Sequence, residues 1–125
     1  MIKTILTAIA TFAIIAALSF VDIYYVNNTF DTFSAMLDSL YEKTEMGTAN
    51  YEDGVAVQTF WEEKKKRLHI WTPHNAIYEI DYQLYEALGY LYLDDCEGAL
   101  PKIQILLGMC ENVPESFMFG LENVF

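Results

Sequence analysis

Apolar residues recur at helical spacing along the chain, and no segment alternates as a half-buried strand would. In the first such segment these positions are Phe30, Phe33, Leu37 and Leu40, with Gly47 as a typical helix stop. Three later segments show the same spacing: Val57, Trp61, Leu68 and Trp71; Ile77, Ile80, Leu84, Leu88 and Leu91; Leu100, Ile103 and Leu107. The pattern predicts four amphipathic helices.

Capping residues and prolines indicate where these helices begin and end. Three pairs are typical of helix N-termini: Asn50 with Asp53, Thr72 with Pro73, and Asp94 with Glu97. Pro101 predicts a kink or a delayed start in the fourth helix, and Pro114 is expected to close it ahead of an apolar tail. The predicted fold class is all-α, an antiparallel helical bundle of two helical hairpins.

The first residues predict a membrane span. Thr4–Val21, here called the apolar segment, is 18 residues without a charge. As a helix it would be about 27 Å long, close to the bilayer core of about 30 Å. We expect an uncleaved transmembrane helix over residues 1–26 and a four-helix domain over residues 27–125. A cleaved secretory signal is the alternative.

Charge is distributed unevenly about this segment. Lys3 precedes it, while 18 acidic and six of the seven basic residues follow, a net charge of −12 for that part. Because positive flanks stay cytoplasmic, we expect a cytoplasmic N-terminus and an extracytoplasmic domain in a single-pass protein of the cell membrane. The acidic field disfavours nucleic acid and anionic lipid as partners.

Four of the seven basic residues form one stretch, here called the basic run: Lys64, Lys65, Lys66 and Arg67. Glu62 and Glu63 lie four residues before Lys66 and Arg67, a spacing that stabilises a helix by about 0.2–0.5 kcal/mol per pair. We therefore predict a solvated, internally paired helix face. The alternative is contact with an acidic protein partner or with the acidic face of a second subunit.

The order of motifs along the chain resembles a known family. The stretches are "FWEEKKKRLHIW" from residue 60, "PHNAIYEIDYQL" from residue 73, and the ending "ALPKIQILLGMCENVPESFMFGLENVF". They are similar to the short bacterial proteins known as domain of unknown function four-three-six-three. The resemblance implies an all-helical, membrane-anchored protein of a Gram-positive bacterium. It implies no activity, because the family has none assigned.

The two cysteines and two histidines are candidates for a disulfide or a metal site. Cys96 and Cys110 are 14 residues apart on one predicted helix, hence about 21 Å. A disulfide needs Cα atoms within about 7 Å, so we expect buried free thiols, with an intermolecular bridge as the alternative.

His69 and His74 lack the further ligands that a zinc site needs, so we expect no metal and no cofactor. No phosphate loop or nucleophile elbow is present, and we predict that the protein is not an enzyme.

Four tyrosines of the third predicted helix lie on one stripe, here called the tyrosine strip: Tyr78, Tyr82, Tyr85 and Tyr92. The strip is turned by about 120° from the isoleucine–leucine face of that helix. The favoured interpretation is a second packing face, because a central helix is apolar on more than one side. The alternative is an exposed docking surface, since tyrosine is common at interfaces.

Together these features predict a non-enzymatic, membrane-tethered protein-interaction module on the outer face of the cell membrane. Its expected partners are the membrane, through the N-terminal helix, and another envelope protein, with a homo-oligomer as a further option. The alternative function is a small-ligand or peptide binder that uses a groove between the helical hairpins.

Overall fold

Four helices build the part of the chain that the structure describes. The computed structural model describes the backbone of residues 1–68, 72 and 74–124, and side chains within these ranges up to residue 112. The helices are α1 (Ile2–Glu45), α2 (Tyr51–Leu68), α3 (His74–Tyr92) and α4 (Cys96–Val124), and the described residues contain no strand. Each helix packs against two others: α1 and α3 both contact α2 and α4. The predicted all-α bundle is confirmed.

α1 is one continuous helix of 44 residues with two different environments. Its apolar segment is long and apolar enough to cross a membrane, and no residue of that segment is buried by the rest of the protein. From Val26 onward the same helix buries one face in the bundle. The predicted span therefore runs into the first bundle helix without a break.

The core lies between the four helices and is rich in aromatic rings. Trp61 of α2 is fully buried, its ring stacked on Phe33 with centroids 5.0 Å apart and tilted against Phe30 at 6.3 Å. All predicted core positions of α1 and α3 are buried, as are those of α2 up to Leu68. Trp71 lies outside the described residues.

α4 buries a face that differs from the predicted one. Ile103 is buried as expected, but Leu100 and Leu107 are half-buried. The buried positions are spaced four, three and four residues apart: Ala99, Ile103, Leu106 and Cys110. Because α4 packs against both α1 and α3, its most buried positions face between those two helices, and the two leucines lie at the edge of the contact.

The turn between α1 and α2 forms as predicted. α1 ends at Glu45, and Gly47 follows with φ of +75°, a conformation that glycine adopts without strain. At the start of α2 the Asp53 amide donates to Asn50 Oδ1 at 2.9 Å, and the Asn50 amide donates to Asp53 Oδ2 at 3.1 Å. This reciprocal pair is a capping box, which satisfies amides that a helix N-terminus leaves without partners.

Two other predicted caps are wrong. Thr72 is buried and its hydroxyl has no hydrogen-bond partner among the described residues, so it does not cap α3, which begins at His74. Pro73 lies outside the described residues. Asp94 does not begin α4, because its φ of +56° places it in the left-handed turn after α3. Asp95 is the cap, its Oδ1 accepting a hydrogen bond from the Gly98 amide at 2.9 Å.

The prolines of α4 do not set its ends. The helix begins at Cys96, ahead of Pro101 and without a delayed start, and it continues through Pro114 to Val124. A proline removes its own amide donor and crowds the preceding turn. α4 packs against α1 and α3, and tertiary packing of this kind supplies most of the stability of helices in proteins.

Candidate interaction surfaces

The tyrosine strip is exposed to solvent. Its four side chains are between 44% and 70% exposed, so the predicted second packing face is wrong. The buried side of α3 faces away from it and consists of Ile77, Ile80, Leu84, Ala87, Leu88 and Leu91. The strip is therefore the outward face of the helix.

Contacts with neighbouring rings and carboxylates orient three of these tyrosines. The Tyr92 ring meets Tyr51 of α2 edge-on, with centroids 5.3 Å apart. The Tyr78 ring stacks with His74 at 6.3 Å, and the Tyr85 hydroxyl donates a hydrogen bond to the Glu62 carboxylate. The rings consequently project from defined positions instead of lying flat against the bundle.

Acidic residues surround the strip. α3 carries three acidic residues and no lysine or arginine. Glu79 and Glu86 are both exposed, and Glu62 meets the strip through Tyr85. The hydrogen bond between these two groups lowers the pKa of Glu62 and raises that of Tyr85, so the carboxylate stays charged and the phenol stays protonated near neutral pH. The surface combines aromatic rings with negative charge.

A polar cluster at the edge of the core joins α2 to α3. Trp61 Nε1 donates to Asp81 Oδ1 at 2.6 Å, and Lys65 Nζ lies 3.4 Å from both Asp81 oxygens. Burial disfavours charge on Lys65, but the hydrogen bond with Glu62 and nearby negative charge outweigh it, and the pKa of Lys65 is raised. The cluster fixes the register of the two helices. Sequence reasoning missed it, because no spacing along one helix indicates a partner on another.

The basic run does not form the predicted pairs within its own helix. Among the described ion pairs, Lys66 does not meet Glu62 and Arg67 does not meet Glu63. Lys65 instead meets Glu62, with Nζ 3.0 Å from Oε2, and Asp81. Arg67 Nη2 lies 3.6 Å from Asp22 Oδ1 of α1. The two predicted pairs are therefore wrong, although the pair of Lys65 and Glu62 does lie within α2. Carboxylates of neighbouring helices lie within reach of Lys65 and Arg67.

Cations of the basic run also lie over aromatic rings. The Arg67 guanidinium lies 4.4 Å from the centre of the Tyr25 ring, and Lys64 Nζ lies 5.7 Å from the same centre and 5.8 Å from that of Phe60. Each distance is within the range of a cation–π interaction. These contacts hold the end of α2 against α1 directly after the apolar segment.

Both cysteines are free thiols, as predicted, but only one is fully buried. Cys110 lies in the core, whereas Cys96 is half-buried, its Sγ 3.7 Å from the Ala49 carbonyl oxygen. Burial, with smaller contributions from the charges of Asp38 and Glu111, raises the pKa of Cys110 to about 12. A thiol with a raised pKa is a poor nucleophile at neutral pH.

We expect Cys110 to react much more slowly than Cys96 with a thiol reagent in the native, detergent-purified full chain. Changing Cys110 to serine should lower the free energy of unfolding by about 1–3 kcal/mol, because a hydroxyl would be buried without a good partner. Cys96→Ser is the matched control, with a smaller expected effect. Labelling followed by peptide mass spectrometry measures both rates, and rapid labelling of native Cys110 would contradict its burial.

The described residues contain no group of three or more His, Cys, Asp or Glu side chains that could hold a metal ion, and His69 lies outside them. One shallow depression of about 200 Å³ lies between α1 and α2, where Met36, Lys43, Asp53 and Val57 contribute to its wall. It lies within the first hairpin, and so does not correspond to the predicted groove between hairpins.

The fold defines an all-α class of protein, a four-helix bundle whose first helix extends into an apolar segment. The chain belongs to the family described as Domain of unknown function (DUF4363), whose model matches residues 20–124. This confirms the resemblance in the sequence motifs, and the match begins near the end of the apolar segment. No curated protein and no solved structure matches the chain.

Proposed function

We propose that this protein is a non-enzymatic, membrane-tethered interaction module whose tyrosine strip binds a cationic helix of another envelope protein. The observation that carries the proposal is the exposure of four tyrosines on the face of α3 that points away from the core. Tyrosine gives a large, rigid contact area with a polar tip, and it is enriched in protein interfaces.

The dimensions and charge of the strip suit one helix as its partner. Tyr78 and Tyr92 are 14 residues apart, so the strip is about 21 Å long. An amphipathic helix of similar length would cover it, with a basic residue placed against Glu79, since Glu86 already pairs with Lys102. A second copy of this chain is a less suitable partner, because two surfaces of net negative charge would repel each other.

Tethering through α1 is the second part of the proposal. The apolar segment has the length of a bilayer core, and Lys3 is the charged residue that precedes it. Retention of positive flanks in the cytoplasm would place the bundle, and with it the tyrosine strip, on the outer face of the membrane. Envelope proteins would then be the available partners.

A non-enzymatic role is supported by the environment of the titratable groups. Asp53, Glu62, Lys65 and Lys102, whose pKa values are shifted in the direction that favours charge, each lie in an ion pair. Shifts of this kind stabilise structure and do not activate a nucleophile or a base. A ligand-binding groove between the hairpins has less support, because large side chains such as Trp61 and Leu84 fill the space between them.

Changing both Tyr78 and Tyr82 to serine should abolish partner binding and leave the thermal midpoint nearly unchanged. Truncating an aromatic anchor at an interface typically costs about 2 kcal/mol or more in binding free energy. The midpoint should be retained because both rings are more than half exposed. Cross-linking in intact membranes, followed by mass spectrometry, measures binding, and circular dichroism of the purified full chain measures the midpoint.

Ile105→Ser is the matched control, since this exposed apolar side chain lies on α4 outside the strip. The Ile105→Ser variant should give the same cross-linked products as the unchanged protein. A partner that survives the double tyrosine change would contradict the proposed docking surface. Cross-linked products consisting only of this chain would instead support a homo-oligomer and contradict the proposed cationic partner.

A further inference from the structure

We propose that Lys64, Lys66 and Arg67, here called the cationic collar, bind the anionic phospholipid headgroups of the membrane that α1 enters. This inference rests on insertion of the apolar segment, which is part of the proposed function, and adds a second membrane contact. The proposed ligand chemistry is the phosphate group of an anionic phospholipid, such as phosphatidylglycerol.

The position of the collar along α1 is the first reason. The apolar segment ends at Val21, and Asp22 is the next residue. Arg67 pairs with Asp22, and its guanidinium lies over the Tyr25 ring. The polar layer of a bilayer extends about 5–8 Å beyond the hydrocarbon core on each side. One helical turn covers about 5.4 Å, so a span that ends at Val21 places this contact within the headgroup layer.

The second reason is that the collar retains unpaired positive charge. Lys65 is held by Glu62 and Asp81 inside the bundle, but Lys64 and Lys66 take part in none of the described ion pairs. Arg67 is half-exposed and uses one nitrogen toward Asp22, which leaves further guanidinium donors for a phosphate. The two basic residues of the bundle outside the run are both paired: Lys43 with Asp53, and Lys102 with Glu86.

The net charge of the domain predicts repulsion from anionic lipid. At the short distance between the collar and the headgroups, however, the charges close to the membrane surface determine the interaction. Exposed charges act over a Debye length of about 8–10 Å at physiological ionic strength. The bundle extends about 35 Å along α1 from Asp22 to Glu45, so acidic residues at its far end are screened from the membrane. Among the described residues near the collar, Glu63 is exposed and Asp22 pairs with Arg67, so these two carboxylates offset two of the three positive charges. The charges of Lys64 and Lys66 exceed that of Glu63, which leaves the collar locally positive.

The test uses the full chain in vesicles of phosphatidylcholine alone or of equimolar phosphatidylcholine and phosphatidylglycerol. A water-soluble amine reagent is added, and mass spectrometry gives the labelling rate of Lys66 relative to Lys43. Lys43 is the control within the same molecule, about 32 Å farther along α1 than Asp22. We expect this ratio to fall about fivefold with phosphatidylglycerol, the factor for about 1 kcal/mol per basic residue near an anionic surface. High salt should restore it.

Arg67→Gln should weaken the protection of Lys66 in the anionic vesicles, and Lys102→Gln, which removes a charge outside the collar, should not. Alkaline extraction of the same vesicles separates the two proposals. A chain that stays in the vesicles but shows the same ratio in both compositions overturns the lipid contact alone. A chain that alkali extracts from both vesicle types overturns the tether, and with it this inference.

Discussion

Replacing Trp61 with alanine is expected to lower the free energy of unfolding by about 3–5 kcal/mol, the range for a large buried aromatic side chain. Trp61 is 0% exposed and contacts the rings of Phe30 and Phe33 on α1. Its indole nitrogen also donates to Asp81 on α3. The truncation therefore opens a cavity between three helices and removes a hydrogen bond to a carboxylate.

Two matched changes separate these effects. Trp61→Phe keeps an aromatic ring in the core and removes the donor, so we expect a loss of about 1–2 kcal/mol. Tyr82→Ala truncates an exposed aromatic and should change stability little. Chemical unfolding of the full chain in detergent, followed by circular dichroism, measures all three. If Trp61→Ala destabilised no more than Tyr82→Ala, the proposed centre of the core would be wrong.

Protease added to spheroplasts should remove the bundle of the unchanged protein and leave a membrane-bound fragment that contains the apolar segment. The combined change Ile9→Arg and Phe12→Arg should reverse this result and leave the whole chain protected in the cytoplasm. Each arginine near the centre of a span opposes insertion by about 3 kcal/mol relative to an apolar residue. Both side chains are exposed and lie in the segment that the bundle does not bury, so folding should be unaffected.

Arginines in the bundle part of the same helix provide the control. Ser39 and Glu42 are exposed positions of α1, and changing both to arginine should leave the digestion pattern unchanged. Protection of the unchanged protein in intact spheroplasts would contradict the proposed orientation. Release of its bundle without protease would indicate a cleaved signal.

Sequence periodicity predicted the helices best where one face alone is apolar. Ile77, Ile80 and Leu84 of α3 have this pattern, and all are buried. In α4 the apolar residues surround more of the helix, so the buried face depends on where α1 and α3 lie. A similar limit applies at Pro114, through which α4 continues although proline is locally unfavourable inside a helix. The local sequence indicates that a helix forms, whereas packing against neighbouring helices determines where it ends and which of its faces is buried.

The surfaces were less predictable than the core, for two physical reasons. A stripe of tyrosines is compatible with packing and with exposure, and only the positions of the other helices distinguish them. The ion pairs of Lys65 and Arg67 reach other helices, so sequence distance gave the wrong partners. One of the three predicted caps forms, the pair of Asn50 and Asp53, whose partners are close in sequence. The prediction at Asp94 missed by one residue, because Asp95 caps α4 and Asp94 takes the left-handed turn before it.

The unbroken course of α1 has a mechanical consequence. Between Ile2 and Glu45 this helix contains no glycine and no proline, the residues at which helices most often bend sharply. The apolar segment and the bundle are therefore joined as one stiff rod, and a twist applied to either end is passed to the other. Each residue inserted at the junction would turn the bundle by about 100° relative to the span. The direction in which α3 faces relative to the apolar segment is thus set by the number of residues between Val21 and Val26.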